Sequence, residues 1–384
     1  MLVRLADEWC FLNTKGTKEI NSVSLSKEKN GHAGMMRRRR RMKRHSRATK
    51  VGKGICMSDC PTWNAARAAR AIAAGGRFDL AKVYRAVYEN NRDVFRVWGY
   101  RTVDGEFVSL GDKAAFLSGT KVYDKPFEHH AESQAGQCLP FTDCVNADCA
   151  DVAEGMIRCG LNPAVLNLAS RYHACGGYDS GAGAQEESLC RVSTLSQSLY
   201  QYFDPSQRCA LEAEVEPRGN AYPLDINFGG IYSPGVTFFR HGPMDGFEFR
   251  KKPFRCGVIS VAALNFRENT RYANEELKYK AADGGFTPEG DAVQMNKIRT
   301  IFRIALVNGH DSLVLGAFGC GAFQLPPEAV AEQFSRVLAE PEFECCFRAV
   351  VFAILSNPAD AKEKFAPFYC LFGRDGGEEL TTRN

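Results

Sequence analysis

Val165-Leu-Asn-Leu168, Cys175-Gly-Gly-Tyr-Asp-Ser-Gly-Ala-Gly183 and Gln185-Glu-Glu-Ser-Leu-Cys-Arg191 follow one another within thirty residues and decide the fold. The first is a short apolar strand and the second a glycine-rich loop. The third opens a helix that the stripe Leu189, Val192, Leu195 and Leu199 extends to about Tyr202. A loop that leaves a buried strand and feeds a helix N-terminus presents backbone N–H groups and the positive end of the helix dipole, a natural seat for phosphate. Glycine lets the chain approach such an anion closely.

The pattern recurs. Leu313 to Leu315 reads as a strand, Gly316-Ala-Phe-Gly-Cys-Gly-Ala-Phe323 as a second glycine-rich loop, and Pro327 to Leu338 as the helix after it. No Gly-Lys-Ser/Thr follows, so this is not a P-loop and nucleotide hydrolysis is not indicated. Cys256 to Leu264 and Ala349 to Leu355 read as further buried strands, and Asp291 to Asn308 as a helix stopped by Gly309. Strands alternating with helices from about 139 onward predict a layered α/β domain. Upstream, Asn64 to Ala74 and Phe78 to Tyr88 have helical spacing, and Val97 to Leu110 reads as two short strands around Asp104-Gly105.

The 384 residues carry a formal charge of +4, yet nine Lys and Arg fall between Arg37 and Lys50 without one acid. The rest of the chain is therefore mildly acidic, and strong contact with a polyanion is expected in that tail rather than over the fold. The run fits an import-receptor signal, a tether to nucleic acid or another polyanion, or an extension upstream of a later start such as Met57. Fifteen cysteines, an odd number without paired metal-ligand spacing, read as reduced thiols. The first residues carry Arg4, Asp7 and Glu8 where a secretory signal needs an apolar run, so the expected location is intracellular, cytoplasmic or nuclear, with no membrane contact.

Glu186 and Glu187 open a helix, where acids complement the dipole, and Glu187 can pair with Arg191 at i,i+4, so capping alone would explain them. At about 100° per residue they flank the apolar stripe on opposite sides, and periodicity does not say which faces a cleft. A carboxyl group beside a phosphate-cradling loop is, however, the equipment needed to cleave a glycosidic bond in a nucleotide sugar. Asn167 at the strand end either fixes the first loop or touches a ribose. Phe365 and Phe368 suit core packing more than a base platform, His173 reads as structural or exposed, and Cys190 and Cys320 lack a partner base.

Asn167-Leu-Ala-Ser170 together with Cys175 to Arg191 resembles the signature of the microbial-type poly(ADP-ribose) glycohydrolases, a macrodomain-fold family marked by three glycines, a spacer and Gln-Glu-Glu. Gly316 to Phe323 is similar to that family's diphosphate-binding segment, and Val97 to Tyr123 resembles its N-terminal accessory region; the likeness covers about 65 to 370. It implies a three-layer α/β/α macrodomain-like mixed sheet with a small N-terminal α/β extension. The parts would be a basic tail at 1–60, an accessory region at 61–138, a catalytic domain at 139–372 and a C-terminal tail at 373–384.

The resemblance implies hydrolysis of ribose–ribose bonds in poly(ADP-ribose), with Glu187 as catalytic acid and base, Glu186 orienting ribose hydroxyls, and no metal or cofactor. Asn167, Gly176, Gly177, Gln185, Gly319, Cys320, Gly321, Ala322 and Phe323 would bind substrate, Gln185 more by holding the loop than by contact. Cys175 stands where the first glycine of the triplet is expected, and its Cβ is expected to narrow the loop beside the scissile ribose. Two other functions stay open: a non-catalytic ADP-ribose reader, and a hydrolase of mono-ADP-ribosylated proteins.

Overall fold

The computed structural model describes residues 60–74, 77–127, 139–204, 206, 215–268, 273–356 and 361–374. The basic run Arg37 to Lys50 and most of the C-terminal tail lie outside them. Helix α1 spans Ala65–Ala73 and is capped by Asn64, whose side chain accepts from Arg67 N. Helix α2, Arg77–Val97, runs nine residues beyond the stretch that helical spacing suggested. Strands β1 (Gly99–Arg101) and β2 (Phe107–Ser109) form an antiparallel pair around Gly105, which takes a positive φ of 84°. The short α3 (Lys113–Ser118) leads into β3 (Lys121–Tyr123).

The remaining elements are β4 (Phe141–Val145), α4 (Cys149–Arg158), β5 (Pro163–Leu168), α5 (Gln185–Val192), α6 (Leu195–Leu199), β6 (Gly230–Arg240) and β7 (Phe249–Val261). After them come α7 (Ala273–Glu276), α8 (Pro288–Val307), β8 (Ser312–Leu315), α9 (Pro327–Leu338), β9 (Ala349–Ala353) and α10 (Ala366–Phe372). Seven strands form one sheet in the order β3-β6-β7-β5-β8-β9-β4. From β7 to β4 every neighbouring pair is parallel, while β6 is antiparallel to β7 and to β3. Lys121–Tyr123, sequence-assigned to the accessory region, is thus an edge strand of the main sheet.

Alternation along the central strands divides the core into two faces. Val165, Val314 and Val351 pack with residues of α2, α4, α5 and α6, whereas Leu166, Leu313, Val350 and Phe352 pack with α8, α9 and α10. The result is the expected three-layer α/β/α arrangement. Because β5, β7 and β8 are parallel neighbours, the loops that leave them emerge at one edge, the usual ligand edge of an open α/β sheet.

The helix expected over 185–202 is not continuous. It breaks at Ser193 and Thr194 and resumes as α6, then as a tighter turn at Tyr200–Tyr202. The cause is local competition for backbone hydrogen bonds. Ser193 Oγ donates back to Leu189 O at 2.7 Å, Thr194 N donates to Thr237 O, and Thr237 N donates to Thr194 Oγ, so the two residues leave the helix to dock on β6.

Candidate active site

Gln185 ties the start of α5 to the end of β5. Its Oε1 accepts from Leu168 N at 2.8 Å and its Nε2 donates to Leu166 O at 2.8 Å, so the side chain is engaged by backbone. This anchor rotates the next two residues under the glycine loop, and both glutamates are buried, at 3% and 6% exposure. Glu186 Oε2 accepts from Ser170 N at 2.7 Å and Oε1 from Asn167 Nδ2 at 3.3 Å. Asn167 also donates to Ser260 Oγ on β7 at 2.9 Å, linking the carboxyl group to the neighbouring strand. Burial, and then the adjacent Glu187, push the Glu186 pKa up to about 8. A carboxyl group in that environment holds its proton at neutral pH.

Glu187 is held differently. Oε1 accepts from Gly177 N at 2.8 Å, while Oε2 is buried and has no hydrogen-bond partner among the described residues. Gly176 lies against the same group with φ of 54°, and a Cβ there would stand 2.5 Å from Glu187 Oε1. A side chain at 176 would therefore displace the carboxyl group from this position. Gly181 serves a different purpose: a Cβ would stand 2.5 Å from Ala81 O, because the back of the loop rests directly on α2.

The Cys175 side chain is enclosed rather than exposed. The residue takes a left-handed conformation at φ of 63° and is fully buried in the core, where its thiol interacts with that of Cys190. Its backbone N–H donates to Glu186.

The second loop begins beside the first, since a Cβ on Gly316 would touch Leu168 at 3.7 Å. Gly319 has a φ of 81°, and a Cβ there would collide with Leu325 and stand 2.7 Å from Ala263 Cβ. Cys320 N is spent on Ala317 O, its thiol is buried, and burial pushes its pKa well up. The N–H groups of Gly321, Ala322 and Phe323 donate to no acceptor among the described residues, and Gly321 and Ala322 are exposed. Phe323 is half-buried and its carbonyl accepts from Phe266 N at 2.8 Å. Among the described residues no hydrogen bond joins Glu186 or Glu187 to this loop; the two share an edge of the sheet.

Of the weaker candidates, Phe368 is fully buried against Phe352, whereas Phe365 is half-buried and stacks on Tyr369. Residues that sequence reasoning did not find are Ser170 and Ser260, which hydrogen-bond Glu186 and Asn167, and a group behind the loop formed by the buried Asn91, Tyr178 and Arg191 with the half-buried Tyr84. The i,i+4 spacing of Glu187 and Arg191 was the one signal for the last of these.

The sequence model of the microbial-type PARG catalytic domain, PARG being poly(ADP-ribose) glycohydrolase, matches residues 89–241. That span runs from α2 through β6 and contains the whole Gln185-Glu186-Glu187 loop and helix. Residues 89–241 are thus similar to a microbial-type PARG catalytic domain. Solved structures agree with it. The poly(ADP-ribose) glycohydrolase of Thermomonospora curvata is 26% identical over 75% of this chain and 99% of its own, with a TM-score of 0.59. The same enzyme bound to the inhibitor ADP-HPD gives 27% identity over 75% and 99%, with a TM-score of 0.57. The Deinococcus radiodurans enzyme, as a T267R mutant in complex with ADP-ribose, is 25% identical over 71% of this chain and all of its own, with a TM-score of 0.51. No curated protein sequence matches. The likeness to the Thermomonospora structure makes the seven-stranded sheet macrodomain-like. Among the described residues no helix is long and apolar enough to cross a membrane.

Proposed function

We propose that the protein hydrolyses the ribose–ribose O-glycosidic bonds of poly(ADP-ribose) to release ADP-ribose, with Glu187 as general acid and base. The observation that carries this reading is the state of the Glu187 carboxyl group: one oxygen is fixed by Gly177 N and the other, though buried, has no hydrogen-bond partner among the described residues. A group oriented through one oxygen and free at the other can deliver and recover a proton. Protonated Glu187 gives its proton to the departing ribose oxygen as the glycosidic bond breaks and an oxocarbenium-like centre forms. The carboxylate then takes a proton from water, whose oxygen bonds to that carbon, and Glu187 is restored protonated.

Glu186 accepts from backbone at Ser170 and Cys175 and from Asn167, which supports a role in orienting ribose hydroxyls rather than in proton transfer. The amides of Gly321, Ala322 and Phe323 are the donors available to the diphosphate, and Phe323 is placed to pack on a ribose. Preorganised amides of this kind stabilise charge without reorganising. An intracellular setting and ADP-ribosylated proteins as partners belong to the same proposal. The reader alternative rested on Cys175 obstructing the cleft, and the burial of its thiol speaks against it. Release of ADP-ribose from purified polymer by the native protein and by Glu187→Gln tests the proposal. The variant is expected to be slower by about 10²- to 10⁴-fold; equal rates would overturn it.

A further inference from the structure

Arg191 is fully buried one helical turn beyond Glu187. Its Nε and Nη1 find no acceptor among the described residues, and burial pulls its pKa down against the opposing pull of Tyr178 and Glu187. Keeping a cation in the core with two donors unsatisfied is costly, and such a group persists where something else demands it. Nη2 donates to Ala182 O in the glycine loop, and the guanidinium lies 4.1 Å from the ring centroid of Tyr84 on α2 and 6.0 Å from that of Tyr178 in the loop. Asn91, also on α2, donates at 2.8 Å both to Tyr178 Oη and to Arg191 O, and accepts from the buried Arg240 Nε at 2.7 Å.

From this clamp a chain of hydrogen bonds runs to the carboxyl group. Ala182 N donates to Gly177 O at 3.1 Å, and Gly177 N donates to Glu187 Oε1 at 2.8 Å. Tyr178 also borders an open pocket of about 140 Å³ with Tyr88, Ser196 and Tyr200. We propose that Arg191 is a positioning residue of the reaction, clamping the glycine loop to α2 through Tyr84 and Ala182 and thereby fixing the carboxyl group of Glu187. The N-terminal helix is then part of the catalytic apparatus without touching substrate. This inference rests on the role proposed for Glu187.

Two readouts separate the inference from that role. Lysine keeps the charge but not the planar fork or the stacking face. Arg191→Lys is expected to unfold within a few degrees of the native protein, yet to speed amide hydrogen exchange at least tenfold across residues 176–183 and leave α8 unchanged. In polymer hydrolysis its kcat is expected to fall at least tenfold with KM within threefold. Tyr84→Leu, a change on α2, should give the same pattern, and Tyr84→Phe, which keeps the ring under the guanidinium, should restore both readouts. Native exchange in the loop, or a loss of kcat that only follows a general fall in Tm, would overturn the inference. If Arg191→Lys does not fold, the two Tyr84 variants decide. If the native protein releases no ADP-ribose, the functional reading fails, while the exchange result still confirms or refutes the clamp.

Discussion

The N–H of Gly177 donates to Glu187 Oε1 at 2.8 Å, and a Cβ on the preceding Gly176 would stand 2.5 Å from that same oxygen. The loop therefore grips the carboxyl group through Oε1, on one side. In Gly176→Ala the methyl group displaces the carboxyl group and must also occupy a left-handed conformation, which costs about 1–2 kcal/mol. Activity should suffer far more than stability, because misplacing a catalytic group by about 1 Å can cost about 10²-fold. Polymer hydrolysis and thermal unfolding of the same preparation check this; a rate within twofold of native would refute it.

Glu186 gives the structure a pH signature. Its ordinary value of 4.5 is raised to about 8 by burial and then by Glu187, so between those values the native protein holds a proton that the unfolded chain has lost. The contribution to stability is complete below about pH 4.5 and is lost as pH rises through about 8, at no more than about 1.4 kcal/mol per pH unit for one proton. Glu186→Gln does not titrate. Denaturant unfolding from pH 5 to 8 should show the native protein losing stability with rising pH relative to the variant; a constant difference between the two would contradict the assignment.

Much of the fold was legible because the central parallel strands are buried on both faces and read as continuous apolar runs. Strand β6 was not, since Pro234-Gly235 interrupts it; the structure places a bulge there, with the register shifting between Ser233 and Val236 and Gly235 at a φ of 56°. Among the described strands β4 pairs with β9 alone and carries the buried Asp143, so it lacks the apolar run of an interior strand. In the site, Gln185-Glu186-Glu187 announced itself by composition, but the burial of both acids depends on the grip of Gln185 on β5, which no helical wheel contains. The Arg191 clamp was hidden for a related reason: Tyr84 and Asn91 come from a helix about a hundred residues earlier.

The second loop offers a paired comparison of two glycines. Gly319→Ala sets a methyl group against Leu325 and Ala263 at a positive φ, so the turn itself must shift; Gly321→Ala meets open space. Gly319→Ala should lower both Tm and ADP-ribose affinity. Gly321→Ala should leave Tm unchanged and weaken ADP-ribose binding only to the extent that an anion lies against that amide. Calorimetric titration with ADP-ribose distinguishes them, and native affinity in both variants would rule the loop out as the diphosphate site.

Cys175 tests whether the departure from the family's glycine triplet matters. Restoring glycine relieves about 1–2 kcal/mol of left-handed strain. It also removes a buried thiol and adds the unfolded-chain entropy of glycine, about 0.5–1 kcal/mol, so the terms nearly cancel. The Glu186 contact survives, because it uses only the backbone N–H of residue 175. Cys175→Gly should therefore keep Tm within a few degrees and polymer hydrolysis within about twofold of native. A tenfold gain in rate would mean instead that the side chain reaches the cleft, against its complete burial beside Cys190.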